Sequence, residues 1–170
     1  MEPRDYQKQA IVHALNNKRA LLLSPTASGK SLIIYMLARH YPMKKLIVVP
    51  TTGLVHQMAS DFAEYGYVDE VHKITAGASK EIESNITVTT WQSIYKMQRK
   101  WFEQFKVVIG DEAHLFKAKS LTNIMSKLVQ CPYKFGFTGT LDDTQTHKLV
   151  LEGLFGPVER VINTSELIKQ

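Results

Sequence analysis

Short apolar, β-rich runs recur along the chain, and each gives way to a stretch of helical length. The runs are Ala20-Leu21-Leu22-Leu23, Leu46-Ile47-Val48-Val49, Ile86-Thr87-Val88, Val107-Val108-Ile109 and Phe135-Gly136-Phe137. Near-continuous apolarity, in place of apolar–polar alternation, marks strands that are covered on both faces, as in a parallel sheet packed between helices. Lys30 to His40 and Leu54 to Tyr65 have helical length between runs, and a first helix is predicted over Tyr6 to Leu15. Val158 to Gln170 reads as an edge strand followed by a short helix. The predicted fold is α/β, a mostly parallel sheet with helices on both faces in three layers. Ligands are expected at the carboxyl ends of its strands.

Composition narrows the setting. The 170 residues suit one compact domain, and no repeat, low-complexity tract or Pro/Gly/Ser-rich linker divides them, so a single domain over 1–170 is expected. A single cysteine excludes an internal disulfide framework and any cysteine-rich zinc site. No apolar run approaches the ~20 residues that span a bilayer, and Met1-Glu2-Pro3-Arg4-Asp5 lacks the layout of a secretory leader. A cytoplasmic domain without a membrane partner is expected. Twenty-one basic against sixteen acidic residues leave a net charge of +5, which permits an anionic partner without identifying one.

Directly after Leu21-Leu22-Leu23 stands Ser24-Pro25-Thr26-Ala27-Ser28-Gly29-Lys30-Ser31, and a helical pattern opens there. Strand, loop and helix N-terminus in that order is the context of a phosphate-binding P-loop. A triphosphate needs several inward-pointing backbone N–H groups, and a helix N-terminus supplies them with a favourable dipole. Gly29 allows close backbone approach, Lys30 would reach the β- and γ-phosphates, and the Ser31 hydroxyl would ligate Mg²⁺. The loop departs from the usual pattern in carrying Ser24 where the first glycine stands and Ala27 where many such loops have another.

A later run ends in Gly110-Asp111-Glu112-Ala113-His114. Two adjacent carboxylates at a strand's carboxyl end, near a phosphate loop, suit metal-assisted cleavage of a phosphoanhydride. Asp111 would hold Mg²⁺, partly through water, and Glu112 would orient and deprotonate the attacking water. An acidic turn that caps a helix is the plainer alternative for the same residues.

Together these two segments resemble motifs I and II of the superfamily 2 helicases of DEAH-box type. Further segments resemble the same family in order. Arg4-Asp5-Tyr6-Gln7 is similar to the upstream glutamine element, Pro50-Thr51-Thr52-Gly53-Leu54-Val55-His56-Gln57 to motif Ia, and Ala76-Gly77 to the Ib region. Val88-Thr89-Thr90-Trp91-Gln92-Ser93 is similar to motif Ic, and Thr138-Gly139-Thr140 to motif III. The resemblance implies the first RecA-like motor domain of an ATP-dependent DNA or RNA–DNA helicase or translocase that acts in recombination, repair or replication. It implies ATP and Mg²⁺ as cofactors, with Arg4, Gln7, Pro25, Thr26, Ala27, Ser28, Gly29, Lys30 and Ser31 at the nucleotide. It also implies that Thr51, Gly77, Thr90 and Trp91 meet one nucleic-acid strand, and that His114, Thr138, Gly139 and Thr140 couple the two sites. Its partners would be branched DNA or an RNA–DNA hybrid and a second RecA-like domain, which these residues do not contain and which brings arginines to the transferring phosphoryl group. Alone, the chain is expected to bind ATP weakly and hydrolyse it very slowly. A non-hydrolysing binding module of the same fold is the alternative.

Overall fold

The computed structural model describes residues 4–23, 29–75, 78–139 and 145–160, with backbone alone at 114, 145–149 and 160. Its strands are β1 (Arg19–Leu23), β2 (Lys45–Val49), β3 (Val71–Ile74), β4 (Ile86–Thr90), β5 (Val107–Gly110), β6 (Tyr133–Thr138) and β7 (Val158–Arg160). Its helices are α1 (Asp5–Asn16), α2 (Lys30–His40), α3 (Thr52–Glu64), α4 (Trp91–Ile94), α5 (Arg99–Phe102), α6 (Ala118–Lys127) and α7 (Gln145–Phe155). The strands form one sheet in the order β3-β4-β2-β5-β6-β1-β7, and every neighbouring pair is parallel. The predicted architecture is therefore present, with β7 as the edge strand expected near the C-terminus.

Alternate strand residues enter two separate cores. Ala20, Leu22, Ile47, Val49, Ile109 and Phe137 join the side chains of α1, α2 and α3 on one face. Leu21, Leu46, Val48 and Val108 join those of α4, α5, α6 and α7 on the other. Both faces being dry, every residue of β2, β4 and β5 is buried, which is why the sequence shows runs and not alternation. The strand not foreseen, β3, buries only Ile74 fully; an edge strand written Val-His-Lys-Ile carries too little apolar signal.

The second core is keyed by an aromatic ring. Gly110 and Gly136 lie opposite each other on β5 and β6, and the fully buried Phe155 of α7 fills the space they leave. A Cβ at Gly136 would stand 2.8 Å from two Phe155 ring carbons, and one at Gly110 would stand 3.1 Å from Phe155 Cζ. Phe155→Ala empties this slot and is expected to cost ~3–5 kcal/mol, as large aromatic truncations in dry cores do. Denaturant unfolding of the two proteins side by side measures it, and an unchanged midpoint would rule the docking out.

Candidate functional site

Because all strands are parallel, their carboxyl ends share one rim. Leu23 is level with Thr138, Val49 with Thr90, and Val48 with Gly110 and Gly136. The segments that follow β1, β2, β4, β5 and β6 are thereby gathered on one edge of the molecule, where the α/β topology places ligands.

Lys30 is the first residue of α2, after Gly29 in the left-handed region at φ +83°. That conformation suits glycine, and space requires it too: a Cβ here would collide with the Gln7 amide and stand 2.9 Å from the Tyr6 hydroxyl. Lys30 is only 8 % exposed, and its Nζ lies 3.0 Å from Asp111 Oδ1 and also pairs with Glu112 Oε1. Burial by itself would lower the lysine's pKa, but the charge of Asp111 and the hydrogen bond to Glu112 outweigh it, so the pKa is raised. Asp111 is 4 % exposed. Burial pushes its carboxyl above the usual range, against the pull of Lys30.

The two carboxylates are aimed by backbone. The Asp111 N–H donates to Val48 O at 2.8 Å, extending the β5–β2 ladder by one rung. Glu112 then turns left-handed, at φ 53° and ψ 44°, the one non-glycine residue with positive φ among the described residues. Such a conformation costs on the order of 1–3 kcal/mol and persists only where its surroundings enforce it. Here it turns the Glu112 side chain to Lys30 as the chain enters a single 3₁₀ turn, Ala113–Leu115.

The site has donors that fit a hard divalent cation. Asp111 Oδ1 is buried and faces a single cation, the Lys30 Nζ at 3.0 Å. Ser31 lies beside it on the same cavity wall. A carboxylate oxygen and a hydroxyl, completed by phosphate oxygens and water, are the ligand types Mg²⁺ takes. Among the described residues no three His, Cys, Asp or Glu side chains converge on a metal position of their own, so phosphate would have to complete the set.

Around this group opens a cavity of about 520 Å³, lined by Lys30, Ser31, Asp111 and Glu112 on one side and by Pro50, Thr51, Leu54, Gln57, Met58, Asp61 and Leu115 on the other. Gln7, 3 % exposed, stands behind Gly29. Its Oε1 accepts from the Arg4 N–H at 2.7 Å, and its Nε2 donates to Gly29 O at 3.0 Å. One N–H and one lone pair of the amide remain beyond these bonds, the pair that a bidentate contact to an adenine edge needs. The Arg4 side chain is exposed.

A second, polar depression of about 620 Å³ adjoins the first and is lined by Pro50, Thr51, Thr52, Lys80, Thr90, Gln92 and Ser93. Thr51 caps α3, its Oγ1 accepting from the Leu54 N–H at 3.2 Å, and Thr90 Oγ1 is 2.9 Å from Ser93 Oγ. Pro50 and Thr51 line both cavities. Trp91 is half-buried, its ring 6.2 Å from Tyr95 and 6.5 Å from Phe116, against the second core and not in the lining of the depression. Thr138 is fully buried at the end of β6, with Gly139 half-buried after it.

The predicted residues Pro25, Thr26, Ala27, Ser28, Gly77 and Thr140 lie outside the described residues, as does the side chain of His114. Sequence reasoning missed Lys80, Gln92 and Ser93 in the polar depression, and Tyr65, whose hydroxyl is 2.6 Å from that of Ser31. The Gln92-Ser93 pair falls inside a segment already singled out; nothing along the chain ties Tyr65 to Ser31. Cys131 is buried with its thiol pushed up to about 11, burial being the main cause, so it is inert.

Comparison with known proteins bears on the same rim. The family model described as "Type III restriction enzyme, res subunit" matches residues 1–143. The ATP-dependent DNA helicase UvsW of Enterobacteria phage T4 is 40% identical over 179 aligned residues, which take in 99% of this chain and 36% of that protein. The DNA 3'-5' translocase XPB2 of Sulfurisphaera tokodaii is 31% identical, over 93% of this chain and 35% of that protein. The chain thus spans about a third of the length of these curated relatives. A crystal structure of the bacteriophage T4 UvsW helicase superposes with a TM-score of 0.83 at 40% identity, covering 94% of this chain and 60% of that one.

Proposed function

The chain belongs to the type III restriction enzyme res-subunit family, among the superfamily 2 helicases, and from that membership we propose that it is an ATP-binding motor domain, the first of two RecA-like domains that work DNA or RNA–DNA hybrids in recombination, repair or replication. Lys30 carries the reading: a buried ammonium held between two carboxylates at the carboxyl rim of a parallel sheet. One ammonium between two carboxylates leaves an excess of negative charge when both are ionised, which suits a divalent cation, while the ammonium suits phosphate. With Mg-ATP bound, Lys30 would turn from the carboxylates to the phosphates, and Asp111 would be free to hold the cation.

In this reading the adenine edge meets Gln7, with Arg4 beside the base, and the phosphates lie along Pro25 to Ser28, Gly29 and Lys30. Ser31 and Asp111 hold Mg²⁺, which when bound neutralises developing charge on the phosphate oxygens. Glu112, released from Lys30, takes the proton of the attacking water. One nucleic-acid strand follows the polar depression, its phosphates meeting the hydroxyls of Thr51, Thr90 and Ser93, the Gly77 loop and the Lys80 ammonium. Contacts of this kind position a strand without reading its sequence. Trp91 enters through its place behind Thr90. Because Pro50 and Thr51 line both cavities, a strand seated in one has a direct route to the other, which His114, Thr138, Gly139 and Thr140 complete. The names of the two relatives, a DNA helicase and a DNA translocase, support DNA as the track.

Glu112→Gln tests the chemistry. The amide keeps an oxygen for Lys30 but cannot take a proton, so Mg-ATP affinity is expected to stay within about twofold while single-turnover phosphate release falls by ~10²–10⁴, the usual reach of general-base catalysis. Unchanged phosphate release would overturn the assignment of Glu112, and no release from the unsubstituted chain even over days would favour a binding module.

A further inference from the structure

We propose that Tyr65 is a positioning residue for Ser31, holding the serine hydroxyl in the rotamer that offers a lone pair to the metal. The inference rests on the reading of Ser31 as a magnesium ligand. Its geometric basis is the 2.6 Å separation of the two hydroxyl oxygens, which bridges the first turn of α2 and the end of α3.

Ser31 lines the cavity around Lys30, and Tyr65 meets it without being part of that lining. A serine hydroxyl has three staggered χ1 positions, and its proton rotates freely unless a partner selects one. Once a lone pair is given to a cation, the serine's O–H is the group best able to be donated to a neighbour. A phenol oxygen outside the cavity lining is an acceptor that suits this state. In that state, on the reading above, Asp111 is given to the cation and Glu112 to the attacking water, so neither is the serine's acceptor.

Tyr65 is itself held firmly. It ends α3 in a Schellman cap: Gly66, at φ +104°, sends its N–H to Ala63 O at 3.1 Å, and the Tyr67 N–H reaches Phe62 O at 3.0 Å. Its ring packs 5.4 Å from Tyr35, which in turn packs 5.1 Å from Phe62. Backbone and ring are thus fixed independently of the hydroxyl, so removing that one atom leaves the packing intact.

The test is ATP binding by the 170-residue chain, measured by calorimetry with a non-hydrolysable ATP analogue, in Mg²⁺ and again in EDTA. For Tyr65→Phe the expected result is about fivefold weaker binding in Mg²⁺, the worth of one hydrogen bond, with affinity in EDTA and the melting temperature unchanged. Ser31→Ala should lose most of the Mg²⁺ dependence, and Tyr65→Phe should add nothing on that background. Full Mg²⁺ dependence in Tyr65→Phe, alongside its loss in Ser31→Ala, overturns the positioning role and leaves the metal reading standing. Equal losses with and without Mg²⁺ in Tyr65→Phe overturn it as well, since they mark a structural role. Retained Mg²⁺ dependence in Ser31→Ala overturns the metal reading, and the role of Tyr65 with it.

Discussion

Replacing Lys30 by alanine is expected to abolish Mg-ATP binding and to make the protein less stable in a pH-dependent way. The affinity loss should be on the order of 100-fold or more, since the ammonium would supply at least two charge-assisted bonds to phosphate of roughly 1.5–3 kcal/mol each. The stability effect arises from the nucleotide-free state. Lys30 is the cation paired with two carboxylates, one of them nearly inaccessible, and taking away one partner of a buried ion pair typically costs ~3–5 kcal/mol, with the partial exposure of Glu112 favouring the low end. Asp111 already has a raised pKa because it is buried, and without the lysine it rises further. A carboxyl whose folded pKa lies above its unfolded value contributes stability below the unfolded value and loses it as pH rises through the folded one. The deficit of Lys30→Ala should accordingly be small near pH 5 and larger at pH 8. Thermal melts of both proteins across that range, beside nucleotide titrations, measure the two effects. Equal ATP affinity in the two proteins would refute the phosphate cradle, and a deficit that grows toward low pH would refute the ion triad.

The second large effect concerns rate. The 170-residue chain is expected to hydrolyse ATP very slowly, and a polypeptide that joins it to a second RecA-like domain is expected to do so ~10³–10⁵ faster, the worth of an arginine brought to the transferring phosphoryl group. Among the described residues no arginine lines the cavity around Lys30, Asp111 and Glu112. Arg19 is spent on the carbonyls of Gly153 and Leu154, and Arg39 lies over the rings of Tyr35 and Tyr67. Phosphate release under saturating Mg-ATP decides the matter, and normal helicase turnover by the 170-residue chain would overturn it. The present chain's share of its curated relatives, 36% and 35%, leaves room in those proteins for such a domain.

How much of this was legible beforehand depends on the range of the interaction. The five core strands and α2 were readable because burial on both faces writes itself into consecutive residues, and α2 runs over the predicted Lys30 to His40. The meeting of Lys30 with the Asp111-Glu112 pair was readable because each follows the carboxyl end of a strand in one parallel sheet. The edge strand β3, the left-handed turn of Glu112, the Lys80 ammonium at the polar rim and the approach of Tyr65 to Ser31 were not. Each depends on contacts between segments far apart in the chain, and none leaves a local pattern of its own. Gly66 shows the boundary well: a glycine after an amphipathic helix announces a cap, but says nothing of where the capped tyrosine points.

The slot formed by Gly110, Gly136 and Phe155 has a consequence for how sequences of this kind can diverge. Gly110 immediately precedes the acidic pair, Gly136 lies two residues before Thr138, and Phe155 comes from a helix later in the chain. One volume is divided among the three, most tightly between Gly136 and the ring, so an exchange at one bears on the others. A lineage that adds a methyl group at either strand position must trim the ring at 155, or else displace a strand end that carries a site residue. Joint variation at these positions among relatives is the expected trace of that shared volume, and it would record the docking of α7 without any structure in hand.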